Sequence, residues 1–115
     1  MTIKALVVWV DGSTSYHTIL KNRTYLEMEQ LLEGYVESME VGREAVAFYN
    51  QTGESKGLPF NEVATEIARE LGCEVGDGLY GNVIFTGVED TQGCQTSVPA
   101  GLANDITMIS ELRCV

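Results

Sequence analysis

Apolar and polar positions change period several times along the chain, and each change marks an element. Ile3 to Val10 is an apolar run rich in β-branched residues that ends at Asp11-Gly12, as a buried strand followed by turn chemistry does. Ser15 to Lys21 alternates, with Tyr16, Thr18 and Leu20 on one face, and makes a hairpin partner for it. Thr24 to Glu27 has the capping-box pattern, in which Thr24 accepts from the third backbone N–H and Glu27 reaches back. Tyr25, Met28, Leu31, Leu32 and Tyr35 then recur at helical spacing. Gly34 stands where a helix would stop, so a helix is predicted from about Tyr25 to Glu33.

Tyr35 to Val41 returns to alternation and predicts a half-buried strand. After the Gly42-Arg43 turn, Ala45 to Tyr49 is a second strand, antiparallel to it. Val63, Ala64, Ile67, Ala68 and Leu71 form one helical stripe, with Asn61 as N-cap, Gly72 as terminator and Glu62, Glu66 and Glu70 on the wet face. Leu79 to Val88 reads as the last strong strand, entered through Gly81-Asn82. Beyond the Glu89 to Gly93 turn, Cys94 to Val98 reads as a short return strand. Leu102, Ala103, Ile106, Ile109 and Leu112 predict a C-terminal helix beginning near Pro99. The sum is a single α+β domain over residues 1–115: a mostly antiparallel mixed sheet of about five strands, with two or three helices to one side.

Composition narrows the function classes. Seven Lys plus Arg against seventeen Asp plus Glu give a net charge of −10, which repels phosphate backbones and argues against direct nucleic-acid binding. The three cysteines, Cys73, Cys94 and Cys114, are odd in number and about twenty residues apart. They form no CxxC or Cys/His cluster, so no zinc site is predicted, and a reduced cytoplasmic setting is expected. The start of the chain lacks the length and cleavage site of a signal peptide, and no apolar run approaches a membrane span.

Catalytic chemistry finds little to work with. His17 is the single histidine and falls mid-strand, with no serine or cysteine nucleophile at a recognisable spacing, so no enzyme activity and no catalytic residue are expected. The carboxylates lack EF-hand spacing, and neither a metal nor a cofactor is predicted. The most specific stretch is the corner from Asn50 to Asn61, with Gly53, Gly57, Pro59 and the capping Asn61. It is first a structural corner, and secondly a helix N-terminus whose free N–H groups, with Lys56 nearby, could hold an anion. Glu62 opposes that use because it already satisfies the helix dipole. Tyr49 and Tyr80 fall near turns flanked by Gly and Asn, where an aromatic ring can stack on a flat ligand.

The order of these elements, together with Gly34-Tyr35-Val36-Glu37, Asn50, Gly53, Lys56-Gly57-Leu58-Pro59, Asn61 and Gly81-Asn82-Val83, resembles the bacterial and phage family known as domain of unknown function 3846. The resemblance runs from Lys4 to about Thr96. It implies an accessory protein of phages and other mobile elements and assigns no catalytic residue. Joined to the reading of the residues, it leads to a non-enzymatic module that captures a small, nucleotide-like ligand in the manner of a counter-defence sponge. The expected ligand-binding residues are Lys56, Gly57, Pro59, Asn61, Tyr49, Tyr80 and Asn82, and a homo-oligomer is expected. The alternative is an acidic protein that imitates DNA and inhibits a host protein through the Glu62, Glu66, Glu70 row.

Overall fold

A computed structural model describes residues 1–113. Five strands, β1 (Thr2–Val8), β2 (Thr14–Leu20), β3 (Val36–Val41), β4 (Ala45–Asn50) and β5 (Val83–Gly87), form one sheet in the order β2-β1-β5-β4-β3. All four pairings are antiparallel. Central β5 carries no charged residue and is buried at every position, whereas β2 and β3, at the two edges, alternate. That contrast follows from burial on both faces at the centre and on one face at the rim.

Three helices cover the sheet: α1 (Thr24–Leu32), α2 (Glu62–Glu70) and α3 (Ala100–Arg113). They do not lie to one side, as the sequence led us to expect. Leu6, Val8, Ala47, Val83 and Phe85 pack with Ala64 and Ile67 of α2 and Ala103 and Ile106 of α3. Ala5, Val7, Ile19, Phe48 and Ile84 pack on the other face with Met28 and Leu32 of α1. The reason is visible in the strands. β1 and β5 are apolar at consecutive positions, so both of their faces need cover.

Element boundaries shift for identifiable reasons. Thr24 is not the cap of α1. A single 3-10 turn, Lys21–Arg23, precedes the helix, and the Thr24 hydroxyl donates back to the Lys21 carbonyl at 3.1 Å. Glu27 does reach back, but to the Leu20 N–H at 2.8 Å, one turn earlier than a capping box would place it. The left-handed residue that ends α1 is Glu33 (φ 61°), not Gly34. Gly34 is needed for another reason: a Cβ there would lie 2.5 Å from Lys56 Nζ and 2.8 Å from Asn50 Nδ2. Leu79 and Tyr80 fall outside β5, where Tyr80 makes one antiparallel bridge with Phe60. Cys94 to Val98 forms no full strand. It returns along the end of β5, with the Gly87 N–H donating to the Thr96 carbonyl at 2.9 Å and Glu89 bridging to Gln95. Cys114 lies outside the described residues.

Candidate functional site

The corner that dominated the sequence is a hydrogen-bonded knot at one end of the sheet. Asn61 is fully buried. Its Oδ1 accepts from the Ala64 N–H at 3.0 Å, which is the expected N-cap. Its Nδ2 donates to the Val8 carbonyl at 3.0 Å and the Gly81 carbonyl at 2.9 Å, which ties α2 to β1 and to the entrance of β5. Asn82 makes a second tie: Oδ1 accepts from the Val10 N–H at 3.1 Å and Nδ2 donates to the Leu31 carbonyl at 3.2 Å. Asn50, also buried, donates to the Leu32 carbonyl at 2.8 Å and accepts from the Thr52 N–H at 2.9 Å. Three asparagines thus satisfy the loose backbone ends of β1, α1, α2 and the 50–58 loop.

The remaining corner residues divide between framework and surface. The Pro59 carbonyl accepts from the Gly81 N–H at 2.7 Å. Gly57 stands exposed with φ +77°, and a Cβ there would meet open space. Lys56 does not approach the start of α2. Its Nζ lies 5.9 Å from the Tyr35 ring centroid and 3.5 Å from the Glu33 carbonyl, at the carbonyl end of α1 where a cation is favoured. Val63 and Ala64 are buried and the Ala64 N–H is occupied, so Lys56 and the α2 terminus are not brought together into an anion cradle.

Tyr49 and Tyr80 do come together. They line a small cleft of about 190 Å³ between β4 and the loop before β5, beside Met39, Glu54 and Glu74. Burial, with the Glu37 carboxylate adding to it, holds the Tyr49 phenol above its ordinary pKa. Tyr80 also packs edge-on against Phe60 with ring centroids 5.4 Å apart. No Lys or Arg lines this cleft, and its volume falls below the usual range for a nucleotide-sized ligand.

The larger concavity lies at the opposite end of the sheet and escaped the sequence reading. It is a groove of about 630 Å³ on the α1 face, where the helix stops short of the β3–β4 hairpin. Val46 and Phe48 of β4 form its floor, and Tyr25 of α1, edge-on to Phe48 at 6.3 Å between centroids, forms a wall. Ser38, Glu40 and Arg43 rise from the hairpin, and Glu89 and Gln95 close the far rim. Gln95 is buried; its Oε1 accepts from Thr86 Oγ1 at 3.2 Å, and its Nε2 lies 3.4 Å from Glu89 Oε1. The 89–95 rim is itself held in place. Asp90 accepts from the Gln92 and Cys94 N–H groups and pairs with Lys21 at 3.1 Å, and these contacts pull its carboxyl below the ordinary value. A signal for this groove was present in β4, which is apolar on both faces while its neighbour β3 alternates. The face under Val46 and Phe48 therefore needs cover that α1 supplies only in part.

His17 sits mid-strand as expected, with its ring 5.6 Å from that of Trp9. The α2 carboxylates are not three equivalent surface charges: Glu62 and Glu70 are exposed, while Glu66 is half-buried with Oε2 shielded from solvent. Cys73 and Cys94 are free thiols, and burial raises the pKa of the first. Among the described residues no three His, Cys, Asp or Glu side chains converge as a metal site requires. Nor is any helix among them long and apolar enough to cross a membrane.

The chain belongs to the family described as Domain of unknown function (DUF3846), which it matches over residues 3–110. No curated protein and no solved structure matches it.

Proposed function

We propose that this member of the DUF3846 family is a non-catalytic module that captures a small organic molecule in the groove between α1 and the β3–β4 hairpin. The observation that carries the reading is the groove itself, about 630 Å³ with an aromatic and aliphatic floor and a few polar groups at its rim. That combination of volume and lining is what small-molecule sites have in common. Tyr25, exposed at the wall and held edge-on against the buried Phe48, offers its ring to a flat ligand. Arg43 is the one cation among the lining residues and stands with Glu40 and Glu89. The fitting chemistry is therefore a planar, nucleobase-like body with at most one anionic group, since a polyphosphate would meet two carboxylates. Sequestration as a counter-defence accessory of a phage or mobile element is the role we assign to that capture. The framework use of Asn61 favours the groove over the polar corner as the place of capture.

Native mass spectrometry of the protein purified from bacterial expression tests the reading, with small-molecule release on denaturation. Ser38 is exposed on an edge strand and lines the groove, so Ser38→Trp fills the site without touching the core. The expected result is a stoichiometric adduct, released chemically unchanged, that Ser38→Trp abolishes while the melting temperature holds. An adduct that survives Ser38→Trp, or one converted to a product, overturns the proposal.

A further inference from the structure

We infer that the cleft between Tyr49 and Tyr80 is a second binding site, one that takes an alkylated organic ammonium ion such as a trimethylammonium group. The cleft lies on the α2 and α3 face of the sheet, where Tyr49 and Met39 join the core, and it does not depend on the groove proposed on the α1 face. Two aromatic rings and a thioether, from Tyr49, Tyr80 and Met39, line about 190 Å³, and the exposed Glu54 and Glu74 enter from two different loops. Ring faces attract a cation through their quadrupole, and a quaternary ammonium group is the ligand that aromatic cages of this kind hold.

No cation of the chain fills the place. Among the described residues the one ion pair is Lys21 with Asp90, so neither Glu54 nor Glu74 is paired. Lys56, two residues after Glu54, reaches the end of α1, 3.5 Å from the Glu33 carbonyl. Arg69 donates to the Gly76 carbonyl at 3.1 Å and does not line the cleft. Glu37, cross-strand from Tyr49 and bonded to the Ser38 N–H at 3.2 Å, adds negative charge beside that ring.

The walls are set in advance, so binding loses little to ordering. Gly53 is seated so closely that a Cβ there would lie 2.7 Å from the Tyr80 carbonyl, and Phe60 braces the Tyr80 ring edge-on. The loop that carries Glu74 is closed by the Gly78 N–H on the Val75 carbonyl at 2.8 Å and by the Arg69 contact.

Composition selects the kind of cation. A hard metal ion needs a shell of oxygen ligands, and among the described residues no three His, Cys, Asp or Glu side chains converge. A primary ammonium brings three N–H groups that each need an acceptor, where much of this wall is ring and thioether. An alkylated ammonium carries its charge on methyl groups, which pack against such a wall while Glu54 and Glu74 supply the countercharge. The volume suits one such group and is too small for a nucleotide.

Isothermal titration calorimetry of the full chain with choline chloride in low-salt buffer tests the inference, with circular dichroism on every variant. Saturable binding to one site is expected, and none of the uncharged tert-butyl analogue of choline. Phosphocholine carries the same group as a lipid headgroup does, but its phosphate meets Glu54 and Glu74, so free choline should bind more tightly. Glu54→Gln combined with Glu74→Gln should raise the Kd about tenfold. Tyr80→Leu should weaken binding by a similar factor, whereas Tyr80→Phe, which keeps the ring, should not. Glu29→Gln, at an exposed position of α1, should leave the Kd unchanged. If Tyr80→Leu loses the native spectrum, the double glutamine variant decides alone. No saturable choline binding overturns the inference, as does equal binding of the uncharged analogue or of phosphocholine. A double variant with unchanged Kd, or a Glu29→Gln variant weakened as much, overturns it as well.

Discussion

Replacing Asn61 by Asp separates two accounts of the corner that the sequence alone leaves together. As helix N-caps, Asn and Asp are nearly equivalent, so a residue that only caps would tolerate the change. In this structure Asn61 is fully buried and its Nδ2 donates to two carbonyls, those of Val8 and Gly81. A carboxylate retains the acceptor for the Ala64 N–H but turns a second oxygen toward both carbonyl oxygens. Asn61→Ala loses the cap, worth about 1 kcal/mol, and strips a partner from each carbonyl at about 1 kcal/mol apiece, for a total of about 3 kcal/mol. Asn61→Asp adds an uncompensated buried charge and should cost more at neutral pH, about 4–5 kcal/mol. Burial raises the pKa of that new acid in the folded state, so the folded protein binds the extra proton more readily. The deficit then shrinks as pH falls, because a protonated carboxyl can donate to one carbonyl. Urea denaturation followed by circular dichroism, at neutral pH and near pH 5, reads both effects. An Asn61→Asp protein as stable as wild type would reduce Asn61 to a simple cap.

Other perturbations follow from the same contacts. A Cβ at Gly53 would stand 2.7 Å from the Tyr80 carbonyl, so Gly53→Ala should cost about 1–3 kcal/mol in urea unfolding. Gly57→Ala meets no neighbour and should cost only the strain of its positive φ, about 1 kcal/mol. Asp90 has its pKa lowered by the Cys94 and Gln92 N–H groups and by Lys21, so its contribution is complete above its ordinary pKa of 3.8 and is lost as pH falls through the lower folded value. Asp90→Asn should accordingly flatten the acid limb of melting temperature against pH below about pH 4. Lys56→Met should lower stability by less than about 1 kcal/mol in urea unfolding, because the ammonium is exposed at the end of α1. It should leave ligand capture in the groove unchanged in a titration.

The sequence carried the fold further than the site. Period and punctuation located the five strands and three α-helices, though not the 3-10 turn Lys21–Arg23, because β1, β4 and α2 each combine a clear apolar pattern with a turn or cap residue at the end. The layering was not legible in the same way. A strand apolar at consecutive positions requires cover on both faces, but nothing local says which helix supplies which face. The polar corner was conspicuous because Asn and Gly are rare inside elements. The structure uses Asn50, Asn61 and Asn82 to pair backbone groups at a point where four chain segments end together. Lys56 and the α2 terminus, neighbours in sequence, diverge in space. The groove drew no attention because its walls come from α1, the β3–β4 hairpin and the 89–95 rim, and none of these carries a motif. Only the doubly apolar β4 beside an alternating β3 pointed to it.

On the proposed function the groove, rather than the polar corner, receives a small molecule. Chemical-shift mapping of the isotope-labelled protein against a set of nucleobase-like fragments tests it most directly. Saturable shifts are expected at Tyr25, Val46 and Phe48, with Lys56, Gly57 and Asn61 unmoved. Shifts confined to the Asn50–Asn61 corner or to the Tyr49 and Tyr80 cleft would contradict it.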